Sequence, residues 1–240
     1  MRYWLVIPAA GIGQRLGAPR PKQYLEILGR SLLEWSIASF ATDERCDGIV
    51  VALAPGDPWW PAICARLARP VLEVAGGAER SDSVRLALEA LASRVEGDPW
   101  VLVHDAARPC VTRDEIDALL AGVAGHPAGG LLALPLADTL KRQVEAGAGP
   151  VVVALTEPRQ GLWRALTPQL FRLRPLLDAL RAAARAGRAP TDEAQAIEWT
   201  GLGQPRLIPG AAANIKVTTT ADLALVATIL AARSAAGTAT

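Results

Sequence analysis

Short, almost continuously apolar runs recur along the chain: Tyr3-Trp4-Leu5-Val6-Ile7, then 48–53, 71–74, 100–103 and 130–135. Runs of this kind, without polar alternation, fit strands buried on both faces of a sheet. Between them the apolar residues fall at helical spacing. Ser31-Leu32-Leu33-Glu34 is a capping box that opens a helix through about Phe40. Pro58-Trp59-Trp60-Pro61 starts another to about Ala68, Val84, Leu88 and Leu91 lie on one helical face, and Thr112-Arg113-Asp114-Glu115 caps a fourth helix. Strands alternating with helices predict an α/β fold, a mostly parallel sheet with helices on both faces.

The pattern breaks near Asp138. Segments 139–144 and 151–156 both read as strands, joined by the Gly-rich stretch 145–150, which makes a β-hairpin arm rather than another βα unit. Its second strand would expose Val151, Val153 and Leu155, and isolated hairpins are marginal in water. Two outcomes are open: the arm packs on a partner such as a second copy of the chain, or it extends the edge of the same sheet. Beyond it, Leu162-Trp163-Arg164-Ala165-Leu166-Thr167-Pro168-Gln169 returns to the body and leads into a helix. The Ala/Arg-rich stretch 179–189 reads as a solvated helix, and Thr191-Asp192-Glu193 starts one through Trp199. Segments 206–208 and 214–217 are short strand candidates, and Thr219-Thr220-Ala221-Asp222 caps a last helix. The expected organisation is one domain over 1–232, with the arm at about 138–160 as an insertion, and a frayed tail over 233–240.

Composition narrows the function without identifying it. The chain has 240 residues, 51% hydrophobic and 20% charged, enough for one sizeable core. A formal net charge of +1 leaves no basic footprint for nucleic acid, so an anionic ligand must be held by locally placed cations. Cys46, Cys64 and Cys110 are far apart with no C-x-x-C spacing, which argues against a disulfide framework or a zinc site and for a reducing compartment. No cleavable signal pattern and no run long enough to span a bilayer are present, and a cytoplasmic location is expected.

The chemistry centres on the loop after the first strand, Pro8-Ala9-Ala10-Gly11-Ile12-Gly13-Gln14-Arg15-Leu16-Gly17, followed by Pro21-Lys22-Gln23-Tyr24. Small residues let backbone N–H groups approach a ligand, and ligands of open α/β sheets lie beyond the carboxyl ends of the strands. Arg15 and Lys22 add two cations, so a nucleoside triphosphate is the first candidate ligand. The loop is neither a P-loop, since no Gly-Lys-Ser or Gly-Lys-Thr occurs, nor a full dinucleotide fingerprint, since Leu16 stands in the place of the third glycine. Asp105 and Asp138 follow strand-like runs, Lys216 sits in the short run after Asn214, and in a parallel sheet all would share one edge with the Arg15 loop. Asp105 reads either as a Mg²⁺ ligand beside polyphosphate or as a cap or ion-pair partner of Arg108. Ser83 reads as a helix cap or a base-reading hydroxyl, and His104 as packed rather than catalytic.

Taken in order, Pro8-Ala9-Ala10-Gly11-x-Gly13-x-Arg15, Pro21-Lys22-Gln23-Tyr24, Gly76-Gly77-x-Glu79-Arg80-x-Asp82-Ser83-Val84, His104-Asp105-Ala106-Ala107-Arg108-Pro109, Asp138-Thr139-x-Lys141, Leu162-Trp163-x-Ala165-x-Thr167-Pro168-Gln169, Thr191-Asp192-Glu193-Ala194 and Asn214-Ile215-Lys216-Val217-Thr218 closely resemble the 2-C-methyl-D-erythritol 4-phosphate cytidylyltransferase family. The resemblance covers nearly the whole chain, and a monofunctional protein without the fused cyclase domain of some relatives is expected. It implies a Rossmann-like nucleotidyltransferase fold and CMP transfer from CTP to 2-C-methyl-D-erythritol 4-phosphate in non-mevalonate isoprenoid synthesis. It also implies a homodimer in which each arm reaches the partner's site. By position, Ala9, Ala10, Gly11, Gly77 and Ser83 match CTP-holding residues, Arg15 and Lys22 match the pair that stabilises the transition state, and Asp105 matches the Mg²⁺ ligand. Arg108, Thr139, Arg159 and Lys216 match residues that hold or orient the acceptor, Thr139 and Arg159 from the partner's arm. Ala78, where some relatives carry a polar residue, and Thr219-Thr220, where Arg-Pro is frequent, depart from the pattern without removing a needed charge. A ribitol 5-phosphate cytidylyltransferase and a noncatalytic nucleotide-binding regulator are the competing readings, and a nicotinamide dehydrogenase is a distant third.

Overall fold

In the structure, a computed structural model, residues 1–11, 20–67, 69–144 and 150–237 are described. Arg15, the end of the expected helix at Ala68, the 145–149 turn and 238–240 lie outside them. The elements are β1 (Tyr3–Pro8), β2 (Glu26–Ile27), β3 (Arg30–Ser31), α1 (Leu32–Ala41), β4 (Cys46–Leu53), α2 (Trp60–Cys64), β5 (Val71–Ala75) and α3 (Arg80–Ala92). They continue with β6 (Trp100–Val103), α4 (Arg113–Val123), β7 (Gly130–Pro135), β8 (Leu140–Gln143) and β9 (Val153–Glu157). The chain closes with β10 (Trp163–Arg172), α5 (Leu173–Arg185), α6 (Glu193–Glu198), β11 (Arg206–Pro209) and α7 (Thr220–Ala235).

Among the described residues seven strands form one sheet in the order β11-β7-β10-β6-β1-β4-β5. All neighbours pair in parallel except β10, which runs antiparallel between β6 and β7. This is the mostly parallel, helix-covered sheet that the apolar runs predict, and the Rossmann-like fold that the resemblance implies. Strand side chains alternate between faces, so Tyr3, Leu5 and Ile7 pack with Leu33, Ile37 and Ile116 from α1 and α4. Val6 faces the opposite way, into Val84, Leu88, Leu176 and Ile197 from α3, α5 and α6. A third cluster joins α7 to the body through Val226, Leu230, Val217 and Trp35.

The caps lie where the sequence places them. Ser31 with Glu34, Thr112 with Glu115 and Thr219 with Asp222 all form capping boxes, and Asp192 caps α6 through the Gln195 N–H. Leu162 to Gln169 leads into a helix, α5, as expected, and does so as part of β10, the antiparallel strand, whose pairing with β7 is interrupted between Ala165 and Gln169. Two expectations change. Segment 214–217 is not a strand; it is held by the Val217 N–H on the Ala107 carbonyl and by Asn214. The last helix continues to Ala235, and Arg233 donates to the Cys110 carbonyl at 2.8 Å.

β8 and β9 pair only with each other, as a separate two-stranded sheet, rather than extending the main one. Val151 is 81% exposed, and Val153 and Leu155 are also exposed. Among the described residues no helix is long and apolar enough to cross a membrane.

Candidate active site

A cleft of about 180 Å³ opens beyond the carboxyl ends of β1, β5 and β6. Its first wall is the loop after β1. The Ala9 N–H donates to the Ala52 carbonyl at 2.7 Å, which continues the β1–β4 pairing, and the chain then turns away. Gln23, buried, donates through Nε2 to the carbonyls of Ala9 (2.7 Å) and Gly11 (3.0 Å). That clamp ties the Pro21-Lys22-Gln23-Tyr24 segment to the small-residue loop and brings Lys22 to the cleft. Tyr24 anchors the other side, donating to Asp57 at 2.7 Å and stacking on Trp59. The Lys22 ammonium reaches the Val217 carbonyl at 3.2 Å, so this segment also meets the one that carries Lys216.

The second wall is the Gly76-Gly77 turn. A Cβ on Gly76 would lie 2.3 Å from Ala10 Cβ, and one on Gly77 would lie 2.3 Å from Asp82 Cβ. Neither position admits a side chain without moving backbone. The Ser83 hydroxyl accepts from the Gly77 N–H at 3.1 Å and donates to the Glu79 carbonyl at 3.2 Å. Ser83 is not the cap of α3, whose N-cap is Glu79; it lies inside the helix, and its hydroxyl braces the Gly77 turn.

The floor is Asp105, just past β6. Its backbone N–H donates to Thr167 Oγ1 at 3.0 Å. Behind it, His104 Nε2 is 3.0 Å from the Arg108 carbonyl, which can only accept, so Nε2 carries the proton. Nδ1 is therefore the acceptor for the Thr167 hydroxyl at 3.0 Å. This relay fixes the Asp105 backbone, and burial lowers the His104 pKa to about 4, keeping the ring neutral. His104 is packed and braced, as expected.

Three cations converge on the Asp105 carboxylate. Arg80 Nε donates to Oδ1 at 2.9 Å, Lys216 Nζ lies 2.9 Å from Oδ2, and Arg108 Nε lies 3.4 Å from Oδ2 without an aligned hydrogen bond. Burial by itself pushes this carboxyl up, but Arg80, Lys216 and Arg108 hold it far below the usual carboxylate range. Arg108 is fastened by donating to the Asn214 carbonyl at 2.9 Å. Asn214 in turn donates to Thr167 O and Glu115 Oε1. Of the two readings of Asp105, the ion pair with Arg108 is present, and the carboxylate also lines the cleft.

The cleft gathers Ala9, Ala10, Gly11, Lys22, Gly77 and Ser83, together with Asp105 and Lys216. Arg108 touches it only through Asp105. Thr139 and Arg159 are exposed on the arm, with Arg159 donating to the Ala137 carbonyl, and neither lines the cleft of its own chain. Arg15 lies outside the described residues. Sequence reasoning gives no role to Arg80 or Gln23. Arg80 stands at the first position of a helix rich in charge, where a solvated role is the ordinary reading; only the fold reveals its two carboxylate partners.

Among the described residues no three His, Cys, Asp or Glu side chains are grouped as a metal cage. A divalent cation here would depend on Asp105 and phosphate oxygens, which is the sparse protein ligation Mg²⁺ commonly has. The Asp105 donor set fits that use: the group is ionised, and each carboxylate oxygen has more than one acceptor direction.

The family model described as 2-C-methyl-D-erythritol 4-phosphate cytidylyltransferase matches residues 3–232. A curated protein of that name from Halorhodospira halophila is 49% identical, over 98% of this chain and 96% of its own length. Another from Pseudomonas aeruginosa is 48% identical, over 92% and 93%. A crystal structure of 4-diphosphocytidyl-2C-methyl-D-erythritol synthase superposes with a TM-score of 0.81 at 34% identity, covering 95% of this chain and 99% of that one. The Francisella tularensis 2-C-methyl-D-erythritol 4-phosphate cytidylyltransferase gives 0.79 at 33% identity, covering 96% and 100%.

Proposed function

The chain belongs to the 2-C-methyl-D-erythritol 4-phosphate cytidylyltransferase family, and from that premise we propose how its cleft carries out the family's reaction. The chain transfers CMP from CTP to 2-C-methyl-D-erythritol 4-phosphate, releasing pyrophosphate, in isoprenoid biosynthesis. A phosphate oxygen of the acceptor attacks the α-phosphorus of CTP, and pyrophosphate leaves from the opposite side. The nucleophile is already anionic, so no strong general base is needed. The obstacle is the approach of two anions and the charge that builds on phosphoryl oxygens, and positioned cations relieve both.

The observation that carries these assignments is that Lys22, Asp105 and Lys216, from three distant segments, share one cleft with the small-residue loop. Ala9, Ala10, Gly11 and Gly77 leave room for the nucleotide, with Ser83 bracing the turn. Lys22, with Arg15, draws charge from the triphosphate; Lys216 orients the acceptor phosphate beside Asp105, and Arg108, which reaches the cleft only through Asp105, steadies that carboxylate. Mg²⁺ would be held by Asp105 and would neutralise phosphate charge when bound.

We further infer a homodimer. Val151, Val153 and Leu155 on the arm need cover, and Thr139 and Arg159 sit on that arm away from their own cleft. A partner's arm laid over the cleft would supply both, placing Thr139 and Arg159 on the acceptor. A cytoplasmic location agrees with the free cysteines Cys46, Cys64 and Cys110.

The test is pyrophosphate release from CTP and Mg²⁺ with two acceptors in separate assays. Release with 2-C-methyl-D-erythritol 4-phosphate and little with ribitol 5-phosphate is expected. The reverse preference, or CTP binding without release, would reject the assignment.

A further inference from the structure

We propose that Glu193 is a positioning residue for CMP transfer: it grips the Arg80 guanidinium and through it fixes the Asp105 carboxylate at the cleft floor. The inference rests on the reading of this cleft as the transfer site, and adds to it a residue that does not line the cleft.

Glu193 is 1% exposed and takes Arg80 in a fork, Nη1 to Oε1 at 2.7 Å and Nη2 to Oε2 at 3.1 Å. Bidentate pairing of this kind sets the plane of a guanidinium as well as its position. With that plane set, Nε is the donor left facing Asp105 Oδ1, at 2.9 Å. The backbone that carries Glu193 is held on both sides of it. Its neighbour Asp192 accepts from Gln169 Nε2 at 3.0 Å, and the Ala194 N–H donates to Gln169 Oε1 at 2.9 Å.

Gln169 belongs to β10, two residues from the Thr167 whose hydroxyl accepts the Asp105 N–H. One strand therefore holds the Asp105 backbone through Thr167 and its carboxylate through Gln169, α6, Glu193 and Arg80. The arrangement also decides where Arg80 directs its charge. A guanidinium without Glu193 would be drawn to incoming phosphate; tied to two carboxylates it stays on Asp105, leaving Lys22 and Lys216 to meet the phosphates.

The two consequences separate positioning from mere stability. Glu193→Gln removes one negative charge from the cluster, so it should bind inorganic pyrophosphate more tightly while transferring CMP more slowly. A simple packing defect would weaken both. The experiment is a double-mutant cycle of Glu193→Gln and Arg80→Gln, read by single-turnover CMP transfer, by CTP KM, and by calorimetric titration with metal-free pyrophosphate. We expect Glu193→Gln to lower kcat about 10-fold or more with KM for CTP within about threefold, and to tighten pyrophosphate about threefold. In the Arg80→Gln background it should add almost nothing to the loss of kcat, because Glu193 acts on the reaction only through Arg80. Unchanged kcat in a folded Glu193→Gln protein, multiplying kcat losses in the double variant, or weakened pyrophosphate binding would each overturn the proposal. If Glu193→Gln does not fold, Arg80→Lys, which keeps the charge and loses the fork, must show the same kcat loss. A wild-type protein that releases no pyrophosphate from CTP would reject the transfer reading itself, and the pyrophosphate titration would still decide the role of Glu193.

Discussion

Lys216 sets its ammonium 2.9 Å from Oδ2 of Asp105, joining the segment before α7 to the end of β6 across the cleft floor. Lys216 is 38% exposed while Asp105 is nearly buried, so the pair is half anchored and half open to a ligand. That state suits the role proposed for Lys216, a cation that holds a carboxylate in the resting protein and then meets phosphate.

Replacing the carboxylate tests the floor. Asp105→Asn leaves Arg80, Arg108 and Lys216 without their shared partner, so turnover should fall roughly 10²-fold or more while pyrophosphate binds more tightly. The Mg²⁺ concentration for half-maximal rate should rise. Steady-state kinetics across a metal titration would check this, and an unchanged metal requirement would remove Asp105 as the ligand.

The contact between the two walls is steric. Gly76→Ala would force its Cβ against Ala10 Cβ, now 2.3 Å from where it would sit, and the first loop must move. Overpacking of this kind costs about 1–3 kcal/mol. The expected outcome is a CTP KM raised about 10-fold, with a lower melting temperature.

How much of this is legible in sequence differs from part to part. The buried strands, the Ser31, Thr112 and Thr219 caps and the loop residues at Ala9 to Gly11 are readable because each rests on local pattern. β10 is not, because Thr167-Pro168 looks like a break; in the fold that break lies where the β7 pairing is interrupted and Thr167 meets Asp105. The Asn214 to Val217 run looks like a strand because its apolar residues alternate, yet its bonds go to Ala107 and to Glu115 and Thr167. Arg80 and Glu193 cannot be paired from sequence at all, since nothing local links the start of α3 to the start of α6.

The arm should govern assembly. Val153→Asp with Leu155→Asp places charge on the exposed apolar strand, and light scattering should then give the mass of one chain instead of two. Turnover should be largely lost while CTP binding persists, because Thr139 and Arg159 would no longer reach a partner's cleft. A variant that stays dimeric, or a monomer with full turnover, would contradict the arm's role.

Acid stability has an identifiable source at the opposite end of the sheet. Asp43 has no exposed side-chain surface and accepts from Tyr3 and Arg45, with Arg113 3.2 Å away. Burial pushes its pKa up, but the bonds from Arg45 and Tyr3 more than offset that and leave it at about 2. Its folded pKa lies below the unfolded value of about 3.9, so the unfolded chain takes up more protons between them. The stabilisation is full above pH about 4 and is lost as the pH falls toward 2. Asp43→Asn should lower stability at neutral pH by about 2 kcal/mol or more and flatten that acid slope in denaturant titrations.

The central claim is that fixed cations, rather than a general base, bring the two anions together. Its most direct test is the single-turnover rate of CMP transfer to 2-C-methyl-D-erythritol 4-phosphate in Arg15→Ala, Lys22→Ala and Lys216→Ala, each checked for an intact fold. The account predicts losses of roughly 10²–10³ for each, the cost of removing one preorganised charge donor. Rates within about threefold of wild type in folded Lys22→Ala and Lys216→Ala would contradict it.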